Sequence, residues 1–187
     1  MTALLLPGED VHKSANNTRM RLTIARARTL TVLQRLSSDL DLNRDRKGRV
    51  IQFLYESDLI KGEDSAVSLK GANLVKASLH GLDLSGINLS GSNLSDADMI
   101  DTNLTQALLQ ETTMKHTTLI SANLTGAKLC GANLIWAKLS QANLSGADLS
   151  GADLSEAKLN GATITQEQWE KAKSLTETIM PDGVRHP

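Results

Sequence analysis

Aromatic side chains are nearly missing from this chain of 187 residues: one Phe, one Tyr and two Trp, 2% of the total. Any core must therefore be aliphatic and thin. A single cysteine, Cys130, excludes an internal disulfide and suits a reducing compartment. An excess of either charge is missing too. Net charge is −1 overall, with +2 in residues 1–66, −2 in 67–164 and −1 in 165–187. No segment has the basic field that draws in nucleic acid, or the acidic field that imitates it. No apolar run could span a bilayer, and Leu4, Leu5 and Leu6 are too short a run for a signal peptide. The expectation is a cytoplasmic protein with no membrane association.

What is present is a repeat. From Leu69 to Ile164 every fifth residue is large and apolar at all twenty positions, and only Met99, Met114 and Ile164 depart from leucine. With about half of all residues apolar, chance would give this about once in a million sequences. Two residues earlier stands a small or apolar residue, most often alanine, as at Ala72, Ala77, Ala97, Ala122, Ala127 and Ala132. Neither the helix period nor the strand period accounts for a step of five. A chain that turns one corner per repeat does. Each repeat then points its central residue and the one two before it inward, and four repeats close a coil of twenty residues. Coils stacked at strand spacing, ~4.8 Å, make a column about 24 Å tall. The central residues of the core include Leu74, Leu94, Met99, Met114, Leu134 and Leu154.

Ala72-Asn73-Leu74, Ala147-Asp148-Leu149 and Ala152-Asp153-Leu154 resemble, letter for letter, the Ala-(Asp/Asn)-Leu-X-X pattern of the pentapeptide-repeat proteins. The resemblance covers residues 67–166. The flanks Arg46 to Ile60 and Gly161 to Gly183 also look like those of cyanobacterial members. It implies a mainly β fold: a right-handed quadrilateral β-helix, a pentapeptide-repeat solenoid of about five coils. It implies no activity, because members include DNA mimics that protect gyrase from quinolones and a cyanobacterial regulator of heterocyst differentiation.

The chain divides into a disordered N-terminus (1–17), a two-helix N-terminal cap (18–66), the repeat column (67–164) and a C-terminal helical cap with tail (165–187). A helix is expected from about Thr18 to Ser37, on the stripe Leu22, Ala25, Thr29, Val32 and Leu36. A second runs from about Asn43, its cap, to Ser57, with Val50, Ile51, Phe53 and Leu54 as its apolar face. Arg21, Arg28 and Arg35 form a solvated face of the first. Thr165 and Gln168 read as a capping box opening a short helix to about Ser174, and Met180-Pro181-Asp182-Gly183 as a turn. An open column exposes strand edges at both ends. Phe53 and Leu54 are expected to cover the first coil and Trp169 the last. If an end is left open, weak homodimerisation through it is the alternative to a monomer.

A type II corner needs positive φ, hence glycine, at the last repeat position. Six successive corners lack it: Asp96, Asp101, Gln106, Glu111, His116 and Ser121. The same stretch carries Thr102, Thr112 and Thr117 at inward positions, along with both core methionines. A local change of corner type is expected there, with threonine hydroxyls bonded to backbone. Counting by twenty stacks Ile100 under Ile120 and His116 under Trp136, with Ile135 beside Trp136. These five form the candidate partner-binding patch, apolar where the repeat places Ser, Thr or Asn.

Catalytic, cofactor and metal sites are not expected. His12, His80, His116 and His186 are scattered, and Cys130 points outward with Gln110 and Ser150 as stacked neighbours. The reading is a non-enzymatic protein–protein interaction or regulatory module with an unidentified protein partner and no specific nucleic acid. The alternative is a DNA mimic that binds a type II topoisomerase. It would need columns of carboxylates, and the column through Asp148 reads Ser68, Asn88, Leu108, Lys128, Asp148.

Overall fold

The computed structural model describes residues 20, 23, 27–33, 42–60 and 67–187. The expectations for residues 1–17, for Arg21 and Arg35, and for 61–66 lie outside the described residues. From residue 73 to residue 163 the chain pairs with itself at a constant offset of twenty. Four parallel ladders result, running through Asn73–Asn93–Thr113–Asn133–Asp153, Ser78–Asp98–Thr118–Lys138–Lys158, Asp83–Asn103–Asn123–Asn143–Thr163 and Asn88–Leu108–Lys128–Asp148. Backbone groups along the ladders are bonded to the next coil, as in Leu74 N–H to Asn93 C=O (2.7 Å) and Asn93 N–H to Ala72 C=O (2.9 Å). The six named central residues, from Leu74 to Leu154, are all fully buried.

The corners explain the step of five. Ala72 N–H returns to Leu69 C=O (3.0 Å), closing a four-residue turn whose third residue, Gly71, has φ 71°. The expected change of corner type at the glycine-free corners does not occur. Asp96, Asp101, Gln106, Glu111, His116 and Ser121 all hold φ between 54° and 58°, the same left-handed region as the glycine corners. The ladder bonds on both sides of each corner force that conformation, at about 1 kcal/mol or more of strain per non-glycine residue. The threonines behave as expected: Thr102 Oγ1 donates to Leu79 C=O (2.9 Å) and Thr117 Oγ1 to Leu94 C=O (2.8 Å), one coil below.

Outward residues follow a second rule. The Asn or Asp before the central leucine accepts the backbone N–H two residues on, as Asn93 Oδ1 does from Ser95 N–H (3.0 Å), and commonly that residue's hydroxyl as well (2.7 Å). This local bond is why Asn-Leu-Ser and Asp-Leu-Ser recur.

Below the first coil lies helix α1, Leu42–Glu56. It begins at Leu42, so Asn43 lies inside it rather than capping it. Its coil-facing stripe is Lys47, Ile51, Leu54 and Tyr55, all buried. Phe53, expected to cover the coil, is instead 65% exposed. It lies off that stripe and borders a hollow with Arg28, Thr29 and Val32 of helical segment 27–33. The stripe does what a further coil would do. Lys47 Nζ donates to Val75 C=O (2.7 Å), Tyr55 Oη to Ser85 C=O (2.9 Å), and Ser78 N–H donates to Arg44 C=O (3.2 Å). Burial holds the Lys47 ammonium below its ordinary pKa of 10.5.

The column also runs past residue 164. Helix α2, Gln166–Trp169, is a single turn and stops short of the expected Ser174. It stands where the fourth ladder would continue, and Gln168 Nε2 donates to Leu144 C=O (2.7 Å) and Ala147 C=O (2.9 Å) in place of a backbone N–H. The Gln168 carboxamide oxygen also accepts Thr165 N–H (3.0 Å), in the expected capping box. The ladders then resume with one extra residue, Asp153 pairing with Ser174 and Lys158 with Ile179. Residues 174–180 are thus further coil, with Glu177 as a corner at φ 57°. The expected turn at Met180–Gly183 folds residues 184–186 back antiparallel, with Met180 N–H on Val184 C=O (2.8 Å) and His186 N–H on Thr178 C=O (2.7 Å). Trp169, half-buried, borders the same hollow as Met180 and Val184 at this end.

Gly48 of α1 lies against the Ser78 carbonyl, and an added Cβ would overlap that oxygen. Gly48→Ala should therefore destabilise by about 1–3 kcal/mol in a denaturant titration, reversing the gain alanine gives in an open helix. Ser92 occupies an inward alanine position, and its buried hydroxyl has no partner. Ser92→Ala should stabilise by about 1 kcal/mol in the same titration; a loss would show that the hydroxyl is satisfied after all.

Candidate interaction surface

The candidate residues occupy two corners of one surface. His116 and Trp136 are third residues of turns one coil apart, with φ 57° and 59°. Identical backbone at ladder spacing lays one ring over the other: centroids 4.6 Å apart, planes 16° from parallel. This is within the range of a favourable aromatic contact. Trp136 stays 43% exposed, while Ile135 beside it is half-buried with its N–H on Asn133 Oδ1 (3.3 Å). Ile100 and Ile120, both half-buried, stack at the far edge of the second ladder, across Thr118 and Lys138 from the rings. The structure therefore gathers His116, Ile135 and Trp136 at one corner and sets Ile100 and Ile120 apart at the next. Ile100 and Ile135 stand where other repeats place the hydroxyl that completes the Asn or Asp bond, so each trades a local polar contact for apolar surface.

Counting by twenty missed one polar contact. Cys130 Sγ donates to Asp148 Oδ2 (2.9 Å), an offset of eighteen, which is the diagonal neighbour one coil up. Ser150 donates both its N–H (3.1 Å) and its hydroxyl (2.7 Å) to Asp148 Oδ1. The thiol bond and the Ser150 bonds pull the Asp148 pKa down to about 2, and the same Asp148 bond, with burial, pushes the thiol up. The Asp148 bond thus favours the protonated form of Cys130. Among the described residues no group of three or more His, Cys, Asp or Glu is arranged to hold a metal ion. Among them, too, no helix is long and apolar enough to cross a membrane.

A column of pentad coils with outward polar columns defines a repeat solenoid. The family model for pentapeptide repeats matches residues 65–96, 97–134 and 131–166, in eight copies, over more than half of the sequence. The chain belongs to the pentapeptide-repeat family. Among solved structures it is similar to the pentapeptide repeat protein Rfr23 from the cyanobacterium Cyanothece 51142, at 36% identity over 54% of this chain and 63% of that one, with a TM-score of 0.43. It is similar also to alr5209 from Nostoc PCC 7120, at 28% identity over 66% of this chain and 91% of the other, with a TM-score of 0.48. A third is HetL from the same Nostoc strain, a protein involved in heterocyst differentiation regulation, at 38% identity over 68% and 61%, with a TM-score of 0.27. The chain thus spans under two thirds of the Rfr23 and HetL structures. No curated protein sequence matches it.

Replacing the carboxylate without losing the turn isolates its effect on the thiol. Asp148→Asn keeps an acceptor for Ser150, as Asn88 does for Ser90. It should speed reaction of Cys130 with a thiol reagent severalfold at pH 8. It should also remove an acid-side stability change. The ionised Asp148 stabilises the fold above its ordinary value of 3.8, and that contribution is lost as pH falls through about 2.

Proposed function

We propose that this protein is a non-enzymatic protein–protein interaction module, regulatory in use, built on a right-handed quadrilateral β-helix of about five coils. The four ladders at an offset of twenty support that geometry. Helix α1 with the helical segment 27–33 caps its lower end, and the tail 165–187, its further ladder residues included, caps the upper one, with Leu54 and Trp169 among the apolar residues. The contact residues are Ile100, His116, Ile120, Ile135 and Trp136.

The observation that carries the reading is the His116–Trp136 stack. A column lined by Ser, Thr, Asn and Asp presents one partly exposed indole, braced from below by a second ring. A rigid aromatic anchor loses little conformational entropy on association, and tryptophan is enriched among residues that dominate binding energy. The lone cysteine, which can form no internal disulfide, suits a reducing cytoplasm. The topoisomerase alternative gains nothing from the columns. The second ladder runs from Asp98 to Lys138 and Lys158, and the fourth has Lys128 beneath Asp148, so neither repeats the charge of a phosphate backbone.

The test is capture of partner proteins from the native cell by the wild type and by the double variant Ile120→Ser, Trp136→Ser. The variant should retain the wild-type circular dichroism and lose the partner. Retained capture removes this surface from the contact.

A further inference from the structure

The second ladder is charged in opposite senses at its two ends. Its lower part carries Asp98, flanked by the corner residues Asp96 and Asp101; its upper part carries Lys138 and Lys158. Half-buried Asp98 ties one oxygen to Ile100 N–H (3.2 Å). Lys138 and Lys158 are exposed, and among the described residues neither forms an ion pair. Between the two ends, Ile120 and the His116–Trp136 stack border the central Thr118.

We propose that this face is self-complementary and pairs two copies of the chain antiparallel, about a two-fold axis running along the Thr118 strand. The proposal rests on the reading of this surface as a contact surface and names its occupant. Such an axis exchanges rows above and below Thr118 while each column meets itself, as an isologous interface requires. Asp98 then faces the Lys138 of the second copy, and Lys138 its Asp98. Ile120 meets Ile120 across the axis, and the Asp96 carboxylate faces the indole N–H donor of Trp136. A parallel arrangement would instead set Asp98 on Asp98 and Lys138 on Lys138, so charge alone selects the antiparallel one. The face is small. A strip about 24 Å tall and ~13 Å broad offers roughly 300 Å² per copy, against about 800 Å² for a stable interface. The dimer is accordingly a weak one, with Kd on the order of 10 μM to 1 mM.

Sedimentation equilibrium over rising concentration tests it, using the full chain and two charge variants, Asp98→Lys and Lys138→Asp. Both substitutions place residues the same ladder already carries elsewhere, at 138 and 158 or at 98, so the fold accommodates them. The wild type should rise from 20.1 kDa toward twice that mass. Each variant alone should stay monomeric at least tenfold higher in concentration. An equimolar mixture of the two should dimerise again, because both crossed pairs then have opposite charge, and this regain shows that each variant is folded. A wild type that stays at 20.1 kDa up to about 1 mM overturns the pairing. So does a dimer that neither charge change weakens, which would point to contact through an end of the column. Neither result touches capture of a different protein by the same surface, which the double variant at Ile120 and Trp136 tests separately.

Discussion

Every part of this molecule depends on the backbone hydrogen bonds that join each residue to the one a full coil away. Among the described residues no helix or hairpin closes locally, apart from the helices below the column and the fold-back at its top. The bonds work only if the chain returns after twenty residues to the same heading, so four corners must each turn by the same amount. That requirement outweighs residue preference. Glutamate, glutamine, histidine and tryptophan all accept the left-handed conformation glycine would take freely. The narrow interior follows from the same closure: mostly alanine, threonine or another small residue on one inward position, leucine or methionine on the other.

The ends show what the ladder demands when it stops. An uncovered coil would present unpaired carbonyls and N–H groups to solvent and to other chains. At the bottom, a lysine and a tyrosine reach up from α1 to occupy carbonyls, at the cost of burying an amine. At the top, a glutamine side chain stands in for a strand, and the final residues fold back in the opposite direction. Both ends place side-chain donors where main-chain donors run out.

This division explains what the amino-acid order discloses. Positions governed by the repeat were legible: the inward leucines, the threonine hydroxyls bonded to backbone, the turn at Met180, and the stacking of His116 beneath Trp136. What escaped was whatever broke the count. Residues 174–180 carry two more repeats, but one inserted residue moves them off register, and Ser174-Leu175-Thr176 lacks the alanine that flagged the others. Phe53 is the bulkiest purely apolar residue of α1, yet helical phase turns it away from the coil; the buried lysine was masked by its charge. The Cys130–Asp148 bond runs along a diagonal, which vertical counting does not inspect. The glycine-free corners misled for the opposite reason: composition changed and geometry did not.

The constancy of the offset makes the column quantised. Adding or removing twenty residues anywhere within it would change its height by one layer and leave every side chain above pointing along its old bearing. A five-residue indel would keep the pentad pattern intact and yet swing all upper layers by a quarter turn relative to α1, carrying Trp136 round to a different side. Drift in length among such columns is therefore tolerable in whole layers, and steps of five redraw the outer surface while leaving the interior untouched.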